Sequence, residues 1–168
     1  MSTPTSPDDN KALVRQWFAE IDKGEHADVD RFLAPDYIDH NPPSMPVTTS
    51  AREAVKEYSA GFRAALRDFR HVVEDQIAEG DKVVSRITAY GTHCGELMGI
   101  PATGRQVTMT GIAIHRVTDG KLVEHWSQND LLGLLQRLGV VPDFSANSAP
   151  PPREAGGSEA APRTLAGR

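Results

Sequence analysis

Residues 106–130 read QVTMTGIAIHRVTDGKLVEHWSQND. Val107, Met109, Gly111, Ala113, His115 and Val117 recur at every second position, the period of a strand with one buried face. The spacing predicts strands over 106–117 and 121–128, joined at "TDGK". Register decides which side chains of the second strand share the buried face. If Asp119-Gly120 were a two-residue turn, Ala113 would lie opposite Trp126 and His115 opposite Glu124. If Thr118, Asp119 and Gly120 form a three-residue loop with glycine at the positive-φ position, Gly111 faces Ser127 and Ala113 faces His125. A slip of one residue exchanges the two faces. The three-residue loop is the expectation, with His125 and Ser127 inward and Glu124 and Trp126 outward.

Outward from this hairpin, two earlier strands are expected at about 70–78 and 82–93, joined at "EGD". A glycine-rich connection, 94–105, leads into the third strand. "LLGLLQRLG" after Asp130 predicts a closing helix with that aspartate as its N-cap. Upstream the period is helical. Leu13, Val14, Trp17, Phe18 and Ile21 share one face, and Gly24 supplies a stop. "HADVDRFL" predicts a short second helix. "APDYIDHNPPSMP" breaks it with prolines. A third helix opens at Ser50, where "SARE" has the form of a capping box, and Val55, Tyr58, Phe62, Ala65 and Leu66 make its apolar face. Helices first and an antiparallel meander second predict an α+β domain with helices over the concave side of a curved sheet. Residues 1–8 are expected to be disordered, 9–142 to form one domain, and the Pro/Ala/Gly-rich stretch 143–168 to be flexible.

Composition narrows the function classes. Net charge is −5 across 168 residues without a basic block, which argues against nucleic acid as a partner. No apolar run is long enough to span a membrane, and the first residues lack the pattern of a signal peptide. A single cysteine, Cys94, suits a reducing, cytoplasmic setting. No G-x-G-x-x-G, Walker or G-x-S-x-G sequence is present, and none of the six histidines shows paired metal-ligand spacing. No metal or cofactor is therefore expected, although His93, His115 and His125 can share one face.

Candidate site residues follow from the faces. Along 82–93 the odd positions, Val83 to His93, form the less polar side, which puts His93 near a strand end among small and apolar neighbours. Gly111 and Ala113 either meet large neighbours or leave space for a ligand; the second option explains both at once, and the first is the simpler reading. Tyr37, His40 and Asn41 lie in the Pro-rich crossing segment, which can line a cavity mouth. Asp39 and Asn41 equally suit turn-holding hydrogen bonds.

The ordered pattern "WFAEIDKG … DYIDHNPP … YGTHCGELMGIPATGR … TDGKLVEHWSQNDLLGLLQRLG" resembles the SnoaL-like polyketide cyclase family across most of residues 10–142. That resemblance implies a cone-shaped α+β barrel of the nuclear-transport-factor-2-like superfamily, with a curved antiparallel sheet and N-terminal helices enclosing an apolar cavity. It implies a homodimer or homotetramer, no metal or cofactor, and ring closure of polyketides by an aldol step with acid/base side chains. The family histidine after "YG" falls on His93. The acid/base aspartate of the aldol cyclases falls on Ser127, and their pocket glutamine and histidine fall on Gly111 and Ala113. A serine hydroxyl cannot take a carbon-bound proton near neutrality as a carboxylate can.

The expected function is a cofactor-independent enzyme of secondary metabolism acting on an apolar, oxygenated small molecule in a buried cavity. Polyketide cyclisation, epoxide opening with ether closure, and isomerisation all suit it. His93 and His125 are the expected acid/base partners in one shared hollow, Tyr37 a hydrogen-bond donor, and Ser127 an orienting group. Trp17, His40, Phe62, Met109 and His115 are the expected substrate contacts. An accessory hydroxylase needing a redox partner, and a non-catalytic ligand-binding or interaction module, are the alternatives.

Overall fold

The computed structural model describes residues 6–24, 27–42 and 50–143. Helix α1 spans Pro7–Ile21 and opens two residues ahead of the expected domain start. The reason is local. The Ser6 side chain accepts from the Asp9 N–H while the Asp9 carboxylate reaches back to Ser6, and proline takes the first helical turn. Gly24, at φ +66°, follows the helix end as expected and lies so close to Arg63 that a Cβ would approach its side chain to 2.8 Å. After the single turn α2 (Val29–Phe32), the chain enters β1, Leu33–Asp39. Helix α3 is Ala51–Ala65, with Ser50 accepting from the Glu53 N–H. The expected reciprocal bond of a capping box is replaced, since Glu53 pairs with Lys56 instead. Strands β2 (Leu66–Glu79), β3 (Lys82–His93), β4 (Gln106–Thr118) and β5 (Lys121–Asn129) follow, and α4 (Leu131–Leu138) closes the described fold. The expected flexible stretch lies outside the described residues from position 144 onward.

The sheet runs β1-β5-β4-β3-β2. Its last four strands form the antiparallel meander read from the sequence. The fifth, β1, was not foreseen, and it pairs parallel to β5, so the sheet is mixed rather than purely antiparallel. Pro35 hides this strand in the sequence. Proline is tolerated there because β1 is an edge, and its pairing is irregular between Leu33 and Ile38, the interval that contains Pro35.

The β4–β5 hairpin corrects the expected turn. Asp119 and Gly120 both have positive φ, 52° and 72°, and Thr118 pairs directly with Lys121. This is a two-residue turn of the kind that matches strand twist, not a three-residue loop. One step further the register shifts: Val117 faces Leu122, but Arg116 faces Glu124, which leaves Val123 as a bulge. The bulge inserts one residue and so reverses the parity that the turn alone would impose. Ala113 faces Ser127, His115 faces His125 and Gly111 faces Asn129. His125 and Ser127 thus take the inner face by a different route from the one expected. Glu124 and Trp126 take the outer one.

Helices α1 to α3 pack on the inner face. Val14, Trp17, Phe18, Phe32, Val83 and Leu122 build one core cluster, and Phe62, Phe69, Ala89, Val107, Leu134 and Leu138 build a second under α3 and α4. Asp130 caps α4 through the Gly133 N–H at 2.8 Å. Substituting Asp130→Ala should lower unfolding free energy by about 1 kcal/mol. Asp130→Asn should retain most of it in urea unfolding, because the cap needs the oxygen more than the charge.

Candidate active site

The bulge in β5 and the edge strand β1 together assemble a polar cluster on the inner face. His115 and His125, opposite each other across β4 and β5, bring their rings to 4.8 Å with a tilt of 31°. Asp39 is the β1 partner of His125, and its Oδ1 lies 3.2 Å from His125 Nδ1. The His40 N–H donates to the His125 carbonyl at 2.9 Å and locks this pairing. Asn41 holds the next step: its N–H donates to Asp39 Oδ1, and its own Oδ1 accepts from the Ser127 N–H, both at 2.9 Å.

The electrostatics follow from burial and these partners. Burial alone would raise the Asp39 carboxyl. The hydrogen bond and charge of His125, joined by the Asn41 N–H, outweigh it and hold the group below the ordinary carboxylate value. An ionised Asp39 accepting from Nδ1 fixes the His125 tautomer and leaves Nε2 to exchange protons. No protein hydrogen bond falls on that nitrogen among the described residues, and it is not sealed in the core. His115 behaves differently. Burial, reinforced by His125, pushes its pKa well below the usual imidazole value, and its Nδ1 is buried without a partner. It is a neutral ring at physiological pH. Burial and the Asp39 charge raise Tyr37, and push Tyr58 up to about 12, so both stay protonated hydroxyl donors.

Aromatic rings extend the cluster along the inner face. Phe18 meets His115 edge-on at 5.7 Å and lies 5.4 Å from His71, which in turn meets Phe69 at 5.0 Å. Phe69, Phe62, Met109 and Leu134 line a shallow apolar cleft of about 10 Å³, room for little more than one water molecule. Phe62 and Met109, two of the expected substrate contacts, line it. Trp17 does not, being buried in the core against Phe32 with ring centroids 5.8 Å apart.

Three further expectations are corrected. His93 and His125 do not share a hollow. His93 follows Thr92, whose partner Gln106 is nine residues along β4 from His115, about 30 Å of strand at ~3.3 Å per residue. His93 is instead fully buried in its own hairpin, with Nδ1 3.0 Å from Thr103 Oγ1 and its main chain bonded to Arg105 and Gly104. The same separation prevents His93, His115 and His125 from converging on one ion. His40 faces outward, stacked on Trp126 at 4.5 Å and paired with Glu124 at 2.8 Å. Gly111 does not open space for a ligand, because the Asn129 side chain covers it. A Cβ there would come within 2.1 Å of Asn129 Oδ1.

Tyr37, His115, His125 and Ser127 do lie together on the inner face. The sequence reading missed Asp39 as a partner of His125, and the only signal for it was the extended geometry that prolines impose on its segment. It also missed His71, which carries a carboxylate of its own from α1.

The buried His115 has a measurable consequence. A histidine whose folded-state pKa is depressed takes its proton first in the unfolded chain, so stability falls as pH drops below about 6.5. His115→Phe should flatten that acid limb of stability in urea titrations. An unchanged slope would assign the limb to other groups.

The profile of the SnoaL-like polyketide cyclase family matches residues 12–138. Over 147 residues, 84% of this chain and 90% of the relative, the sequence is 31% identical to aklanonic acid methyl ester cyclase DauD of Streptomyces sp. (strain C5). Among solved structures, TsrD from Streptomyces laurentii superposes with a TM-score of 0.72 at 29% identity, covering 82% of this chain and 99% of that one. AclR from Streptomyces galilaeus, a candidate hydroxylase, superposes with a TM-score of 0.70 at 32% identity, covering 82% and 85%. With the family profile spanning residues 12–138 and 31% identity over 84% of its length, the chain belongs to the SnoaL-like polyketide cyclase family.

Proposed function

We propose that this protein closes a ring in a polyketide-derived substrate by acid/base chemistry, with His125 as the proton-transfer group and Asp39 as its support. The observation that carries this reading is the Asp39–His125 pair beside the neutral His115. The position that the family resemblance assigns to an acidic side chain holds Ser127 in this chain. A carboxylate nonetheless reaches the same strand and face from β1, two residues away, as Asp39.

Ring closure of this kind needs a base at a carbon beside a carbonyl. His125 Nε2 takes that proton, and the carbon's electron pair forms the new bond to a second carbonyl carbon. The oxygen of that carbonyl takes up a proton, and His125 returns its own to solvent. An imidazole suits the first step because it titrates near neutrality. Tyr37 and Tyr58 serve as O–H donors to developing negative charge, a role open to them because they stay protonated.

With aklanonic acid methyl ester, the compound named for the curated relative, purified protein alone should give a cyclised product of unchanged mass. His125→Gln should lower kcat by about 10²- to 10⁴-fold. Asp39→Asn should lower it less and leave KM nearly unchanged. Full activity in His125→Gln would remove this residue from the chemistry. Likeness to AclR favours one other reading, accessory hydroxylation. Product heavier by one oxygen, formed only with a reductant and O₂, would establish that reading instead.

A further inference from the structure

Asn41 stands just past the end of β1, and it makes two bonds of different kinds. Its main-chain N–H donates to Asp39 Oδ1 at 2.9 Å, the closure of an Asx turn. Its side-chain Oδ1 accepts from the Ser127 N–H at 2.9 Å. The last pair of the parallel ladder is Asp39 with His125, followed by the His40 N–H on the His125 carbonyl. A regular ladder would meet the Ser127 N–H with a main-chain carbonyl of β1. The Asn41 amide oxygen takes that donor instead, and Pro42, next in the chain, has no N–H with which to continue the pairing.

What these bonds restrain is a carboxylate. Asp39 is the last residue of an edge strand whose pairing is irregular between Leu33 and Ile38, so its own strand holds it weakly. One oxygen, Oδ1, meets both the Asn41 N–H and, at 3.2 Å, His125 Nδ1. The turn therefore sets the direction from which the carboxylate faces the ring, and the bridge to Ser127 ties the turn down. This matters to the ring, because neutral imidazole carries its proton on either nitrogen and the acceptor it meets decides which. A proton fixed on Nδ1 leaves the Nε2 lone pair as the base.

We infer that Asn41 is a positioning residue of the site: its side-chain bridge to Ser127 holds Asp39 so that His125 keeps its proton on Nδ1. Asn41 acts through Asp39 and transfers no proton itself. The effect on turnover rests on the cyclase reading above, whereas the tautomer is a property of the protein without substrate. A bridge that merely stapled β1 to β5 would stabilise the fold and leave the ring unaffected.

The test uses the full chain. Ring ¹⁵N–¹H spectra of the unmodified protein, in alkaline buffer where imidazole is uncharged, should show His125 with its proton on Nδ1 alone. A proton on Nε2 overturns the inference without recourse to any variant. Asn41 is exposed, so Asn41→Ala opens no cavity in the core, and it keeps the main-chain N–H. The same spectra of this variant should show both tautomers. Its kcat with aklanonic acid methyl ester should fall by about three- to tenfold, the worth of one net hydrogen bond, with KM little changed. Asn41→Asp keeps an oxygen for the Ser127 N–H and should restore the single tautomer and most of the rate. An unchanged tautomer in Asn41→Ala, even with a lower Tm, reduces the residue to a staple between two strands and overturns the inference. Mixed tautomers with unchanged kcat have a different meaning: the positioning stands, and His125 is not the base of the cyclase reading.

Discussion

The parallel pairing of Leu33–Asp39 along Lys121–Asn129 turns scattered polar residues into a site. Because successive residues of a strand point to opposite faces, this edge sends Asp39 inward to His125 and His40 outward to Trp126 and Glu124. The main-chain bond from His40 to His125 and the Asn41 bridge to Ser127 hold the strand in that register. A shift of one residue would place His40, not Asp39, against the inner face. The bulge at Val123 has the matching role on β5, for without it Glu124 and Trp126 would face the helices.

Keeping these groups on an apolar face is costly. A buried donor or acceptor without a partner costs roughly 1–3 kcal/mol, and His115 Nδ1 is such an atom. A core built only for stability would place an aliphatic side chain there. His115 instead stays uncharged beside a titratable ring, which keeps the neighbourhood of His125 polar without adding a second positive charge. Asp39 answers the opposite need, supplying negative charge where His125 would become an imidazolium. Acid/base work at a carbon centre depends on such a division between groups that titrate and groups that do not.

The outer face shows how misleading residue type can be. His40, Trp126, Glu124 and Arg116 have the composition of a binding site, yet they satisfy one another by stacking, ion pairing and cation–π contact. His93 is a similar case. Its place at a strand end beside a glycine-rich connection suggested a cavity mouth, and that connection folds back to occupy it through Thr103.

The chain by itself determined where the elements lie: the helical period of α1 and α3, the caps at Ser50 and Asp130, the alternation of β3 and β4, and hence the inner position of His115. Such features depend on near neighbours and are written in short windows. Tertiary structure alone decided that Asp39 meets His125, that Asp22 meets His71, and that His93 stands apart from both. Each is a contact between residues far apart in the chain, and each depends on a bulge, an irregular edge strand or a helix end whose geometry no local pattern specifies.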